Sequence, residues 1–163
     1  MHSLYNVLDV AHYIVKYCNE HNYNISNLKL QKLLYFVQAY FLVKSGGRES
    51  CFKEKIEAWS FGPVVPEAYY EYRQYGSLDI PYSKTKNKLN KNLEIEKNPY
   101  DENIISNNSK EYIESVVEHF KNSSASDLVE LTHRQAPWKN AFIPFCNQEI
   151  TCKSIVGFFL DGK

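Results

Sequence analysis

Residues Leu28–Lys44 constrain the fold more than any other stretch of the chain. Leu30, Leu33, Leu34, Val37, Tyr40 and Phe41 recur at helical spacing and form one wide apolar face. Phe36, Ala39 and Val43 add apolar surface beyond it. A helix that is apolar on nearly all sides must be surrounded by other elements, so it is expected to lie at the centre of a bundle. Ser26 or Asn27 can cap its start by accepting a hydrogen bond from a free backbone N–H. Gly46-Gly47 can stop it in left-handed geometry.

Other periodic segments supply the surrounding elements. From Asn6 to His21, a stripe of Val7, Val10, Ala11, Ile14, Val15 and Cys18 marks an amphipathic helix. Ile56–Phe61 alternates like a short strand, and Gly62-Pro63 reads as a tight turn. A helix then starts at Val65 or Pro66, runs to Tyr75 and stops at Gly76. Ser109 can cap a helix over Lys110–Lys121 with Ile113, Val116, Val117 and Phe120 inward. Ser124 with Asp127 makes a capping box for Ala125–His133. Ala136-Pro137-Trp138 opens a short helical turn, and Thr151 can cap a last helix to Leu160. Residues 84–103 carry five lysines and four acidic residues. They read either as a solvated loop or as a polar hairpin with strands near Ile80–Ser83 and Leu93–Glu96. The expected fold is mainly α: residues 1–163 as one compact helical bundle with a small β-hairpin.

Composition removes several function classes. The chain has 163 residues, 44% hydrophobic and 23% charged, with a formal net charge of zero. That is one domain's length and too apolar for a disordered chain. No basic surplus is available for phosphate, and lysine outnumbers arginine 16 to 3, so nucleic acid is not the expected partner. Cys18, Cys51, Cys146 and Cys152 show no CxxC pairing, which suits reduced thiols acting as small hydrophobes in a cytoplasmic protein. The start after Met1 is polar and no long apolar run follows, so neither a signal peptide nor a membrane span is expected.

The chain lacks GxSxG, HExxH, a P-loop and a dinucleotide fingerprint. Of the five histidines, His2, His12, His21 and His119 stand alone or at the border of a helical stripe, so no metal or cofactor is expected. His133 adjoins a helix end and Trp138, where the helix dipole favours a protonatable group. Glu57, next to Trp59, either meets solvent or pairs with Lys29, Lys32 or Arg73. An enzyme would have to bring Glu57 and His133 into one cleft, and no nucleophile accompanies them.

Three stretches in order point to a family. Leu28-Lys29-Leu30-Gln31-Lys32-Leu33-Leu34-Tyr35-Phe36 is followed by Glu57-Ala58-Trp59-Ser60-Phe61-Gly62-Pro63-Val64-Val65-Pro66, then by Leu131-Thr132-His133-Arg134-Gln135-Ala136-Pro137-Trp138. Together they closely resemble the Panacea domain, the SocA-like antitoxin domain of phage-associated proteins, over about residues 5–160. The resemblance implies an antitoxin that neutralises a toxin encoded beside it by protein–protein binding, without chemistry of its own. It also implies an alternative, an adaptor that hands the toxin to an ATP-dependent protease. Within the motifs, Gln31, Lys32 and Tyr35 are expected to border the core and reach a neighbour or partner. Glu57, Trp59, Tyr69, Tyr72, His133 and Trp138 complete the candidate binding set, since tyrosine and tryptophan are enriched at interface hot spots. Residues 84–103 match no quoted motif.

Overall fold

A computed structural model of the chain describes residues 4–163, which leaves His2 outside the described residues. Helix α1 spans Val7–Glu20 and is capped by Asn6, whose side chain accepts from Leu8 N. Helix α2 spans Asn27–Lys44 with Ser26 as its cap. Gly46 and Gly47 follow at φ of 64° and 84°, and Gly47 N returns to Leu42 O at 2.7 Å. As expected, α2 is enclosed: fourteen of its residues are buried, and they include polar ones. Gln38 shows how such a helix satisfies its polar side chains. Its Oε1 accepts from Cys51 N and Phe52 N while Nε2 donates to Phe52 O, so it pairs with the returning chain as a strand would.

Strand β1 is Ile56–Trp59 and strand β2 is Gly62–Val64; they pair antiparallel with Trp59 opposite Gly62. The turn is therefore Ser60-Phe61, and Gly62-Pro63 begins the second strand. This corrects the expectation that Gly62-Pro63 is the turn itself. Gly62 takes φ of 101° at that strand start, a conformation only glycine adopts without strain. Helix α3 covers Pro66–Tyr72, with proline in the first turn, and a 3-10 turn at Arg73–Tyr75 carries the chain to Gly76.

Strands β3 (Thr85–Leu89) and β4 (Ile95–Pro99) form a separate two-stranded hairpin. The hairpin alternative for this region holds, but its first strand begins later than expected. Ile80 is buried and its N–H bonds Ile25 O at 2.8 Å, so that apolar segment belongs to the core and not to the arm. Helix α4 runs Asn107–Phe120 and is capped by Ser106, not by Ser109. Ser109 lies one turn inside the helix, buried, where it accepts from Tyr5 OH at 2.9 Å. Helix α5 (Ala125–His133) opens on the expected Ser124–Asp127 capping box, and α6 (Ala136–Ala141) carries Pro137 in its first turn. Strand β5 (Glu149–Ile150) adds to β1, completing an antiparallel sheet of order β2-β1-β5. Helix α7 (Cys152–Phe159) is capped by Thr151.

The result is a mainly helical bundle: α2 packs against α1, α3, α4, α5 and α7, and the small sheet covers its remaining side. His12 is buried in α1 and stacked 3.4 Å from Tyr100, more deeply placed than a border position. Cys18 and Cys51 are core residues, whereas Cys146 and Cys152 are exposed, so only half of the thiols act as small hydrophobes. No helix among the described residues is long and apolar enough to cross a membrane.

Candidate functional site

Asn27, Gln31 and Tyr35 follow one another at i, i+4 and i+8, which places them in one line along α2. That line faces the β1–β2 hairpin and α3. Asn27 Nδ2 donates to Tyr69 O at 3.1 Å, and Gln31 Nε2 donates to Asn27 Oδ1 at 2.9 Å. Gln31 Oε1 accepts from Val65 N at 3.0 Å, the residue that caps α3 without a side-chain bond of its own. Beside the line, Lys32 Nζ donates to Pro63 O at 2.9 Å. Tyr35 OH donates to Gln135 Oε1 at 2.8 Å, at the α5–α6 junction. The polar side chains of α2 thus bind backbone and amide groups that would otherwise be buried without partners, each such loss costing about 1–3 kcal/mol.

All three sequence motifs meet at one point. A Cβ on Gly62 would lie 2.7 Å from Lys32 Cε and 2.8 Å from Thr132 Oγ1, so the backbone of β2 is pressed onto both helices. Trp138 Nε1 donates to Trp59 O at 2.8 Å, which ties α6 to the end of β1. Lys32 is 0% exposed, and burial lowers its ammonium pKa to about 7. Burial also holds the His133 imidazole below its ordinary value; Lys32 pushes in the same direction and a hydrogen bond to the Ser60 backbone offsets part of the shift. His133 stacks on Trp138 at 4.0 Å, and its Nε2 is buried without a hydrogen-bond partner among the described residues.

This placement corrects part of the expected binding set. Gln31, Lys32 and Tyr35 are all buried; Lys32 and Tyr35 lie inside the core, closed off by the sheet and by α5, and do not border it. Tyr72 is also internal. It hydrogen-bonds Tyr100, and burial pushes its phenol well above the usual range. Glu57 pairs with none of the expected cations; its Oε1 accepts from Trp59 Nε1 at 3.0 Å. Among the described residues no hydrogen bond joins Glu57 to His133. No cluster of three histidine, cysteine or acidic side chains with metal-holding geometry occurs among the described residues.

The outer face of the same region is a cleft of about 560 Å³. Its floor is Ala58, Val64 and the first turn of α2, one wall is α3 with its 3-10 extension, and the other is the loop after α6. Trp59 and Tyr69 meet edge to face at 5.0 Å, and Tyr70 adds a third ring 5.5 Å from Tyr69. Opposite them stand Phe142, Ile143 and Phe145. Phe61, Tyr70, Ile143 and Phe145 are large apolar side chains left exposed at this rim. Of the expected set, then, Gln31, Trp59 and Tyr69 line the cleft, while Trp138 and His133 support it from behind. Phe61, Arg73, Phe142, Ile143 and Phe145 were not legible as site residues. The available signal was Ile143-Pro144-Phe145, two large apolar residues around a proline where no helix or strand pattern would bury them.

The molecule is thus a helical bundle whose motif residues hold a small sheet in place, with an aromatic cleft above it. The family model for SocA-like antitoxins, the Panacea domain, matches residues 30–139, and the chain belongs to that family. The chain is 37% identical over 115 residues to antitoxin SocA of Caulobacter vibrioides (strain NA1000 / CB15N). That match covers 70% of this chain and 58% of the relative, so the chain spans little more than half of the relative's length. No solved structure matches.

Proposed function

We propose that the chain is a cytoplasmic antitoxin that neutralises a cognate toxin by direct binding, and that the aromatic cleft is where the toxin docks. The observation that carries this reading is the exposed apolar rim of Phe61, Tyr70, Ile143 and Phe145 around Trp59 and Tyr69. Contiguous exposed apolar patches mark interaction sites where scattered single residues do not, and aromatic anchors supply most interface energy. The polar motif residues beneath are engaged internally, so the cleft's shape is set before a partner arrives, which lowers the entropy cost of binding.

The test is co-expression with the product of the adjacent gene, followed by co-purification. Growth recovers and a complex is isolated if the reading is right, and replacing Phe61 and Phe145 by serine lowers both. Rescue and complex formation that survive both substitutions would rule out the cleft; no complex at all would rule out neutralisation by binding. Toxin half-life separates masking from degradation: masking leaves it unchanged or longer, whereas the protease-adaptor alternative shortens it.

A further inference from the structure

Among the described residues, Arg73 is the one charged residue lining the cleft, and no aspartate or glutamate lines it. Its guanidinium lies over the ring of Tyr70, with Cζ 5.3 Å from the centroid, and it forms no ion pair among the described residues. Stacking on an aromatic face restricts the rotamers of a long side chain while leaving the N–H edges free, which pre-organises them for a planar, bidentate acceptor. The facing wall is apolar: Phe142, Ile143 and Phe145. Phe145 is held out by the turn Ile143-Pro144-Phe145-Cys146, closed by Cys146 N to Ile143 O at 3.0 Å, in which Phe145 takes φ of 64°. Proline at the second position and a left-handed third position define a turn that normally carries glycine there. A fully exposed phenylalanine in that place keeps an apolar anchor at the mouth of the cleft at the expense of backbone strain.

From this pairing we infer that the cleft reads a segment of the toxin carrying a carboxylate next to a large apolar side chain. The carboxylate bonds Arg73, and the apolar group packs among Trp59, Tyr69 and Phe145. A basic segment is disfavoured, because it would set a second cation against Arg73, while the Glu57 carboxylate beside Trp59 is engaged by the indole N–H. The inference rests on the proposal that the toxin docks in this cleft, and it goes beyond it by fixing the chemistry of the docked segment.

Overlapping twelve-residue peptides tiling the adjacent gene's product are titrated against the full chain, with the fluorescence of Trp59 and Trp138 as the readout. Binding should concentrate in a peptide with an aspartate or glutamate beside an aromatic or aliphatic residue. Arg73→Glu should weaken that peptide, and the intact toxin, at least tenfold; Arg73→Lys should retain part of the affinity. Changing the peptide's acidic residue to lysine should restore binding to Arg73→Glu. Unaltered affinity in Arg73→Glu, or a bound peptide that lacks an acidic residue, overturns the charge reading. The docking proposal is judged separately: if Phe61→Ser and Phe145→Ser weaken the toxin while Arg73→Glu does not, the cleft stands and only its chemistry is wrong. If none of the three variants weakens the complex, both fail.

Discussion

Lys32 is a lysine enclosed in the protein interior, where its ammonium donates to the Pro63 carbonyl. Its folded-state pKa, lowered by burial to about 7, lies below the value near 10.5 that the unfolded chain retains. Between those values the unfolded state holds a proton that the folded state has released, so stability rises with pH across that window. Below pH 7 the folded state must carry the buried charge and is least favoured. Lys32→Met removes this linkage while keeping an unbranched side chain. The stability of wild type relative to Lys32→Met should therefore rise by about 2 kcal/mol between pH 6.5 and 8.5, as the integrated linkage gives. Urea denaturation at the two pH values measures it, and a pH-independent difference would show that Lys32 titrates normally. Gly62 gives a second prediction at this scale. Gly62→Ala places a methyl against Lys32 Cε and Thr132 Oγ1 and imposes φ of 101° on an L-residue, so it should cost about 3 kcal/mol, seen as a lower urea midpoint.

Secondary-structure elements carry the site through their ends more than their middles. The β1–β2 turn presents Phe61, the end of α3 presents Arg73, and the turn after α6 presents Phe145. The last of these makes a stability–function trade testable. Glycine at 145 relieves a left-handed penalty of roughly 1–2 kcal/mol and adds back roughly 0.5–1 of unfolded-chain entropy. Phe145→Gly should thus raise stability by about 0.5–1 kcal/mol while weakening the toxin complex. A variant that is destabilised would show that the phenylalanine packs where the exposed geometry says it does not. Element positions were largely legible in the sequence. The stripes of α1 and α2, the Ser124–Asp127 box and the glycine stop after α2 all rest on local chemistry, and the structure follows them. The cap of α4 was missed because Ser106 and Ser109 are equally good local acceptors. The structure assigns Ser106, whose Oγ accepts from Ser109 N at 3.2 Å, and Tyr5, about a hundred residues away in sequence, bonds both serine hydroxyls. β5 was missed because two residues carry no period; it exists only as a partner for β1.

The whole molecule is organised around α2, which packs against five other helices as well as the sheet. Burying a helix on all sides couples its neighbours, because none can leave without exposing part of the same core. We therefore propose that residues 1–163 form one Panacea-like unit. Thermal unfolding followed by circular dichroism and by tryptophan fluorescence should give coincident transitions, and two separated transitions would divide the unit. The candidate site was only partly legible at this scale. Gln31, Trp59 and Tyr69 do line the cleft, but Lys32 and Tyr35 were expected at a boundary and lie inside.

The sequence by itself determined a central helix, the helices around it, most of their caps and the family, because periodicity, capping and motif order are all properties of neighbours along the chain. The tertiary structure alone decided which motif residues are enclosed and which reach the cleft. Gln31 and Lys32 satisfy the backbone of Val65 and Pro63 some thirty residues further on, and this consumes their polar groups inside the fold. Phe61, Arg73 and Phe145, which no motif singled out as binding residues, converge across three elements to form the cleft. Whether a polar side chain is spent inward or left for a partner depends on what long-range packing brings to it, and that information is not local in the sequence.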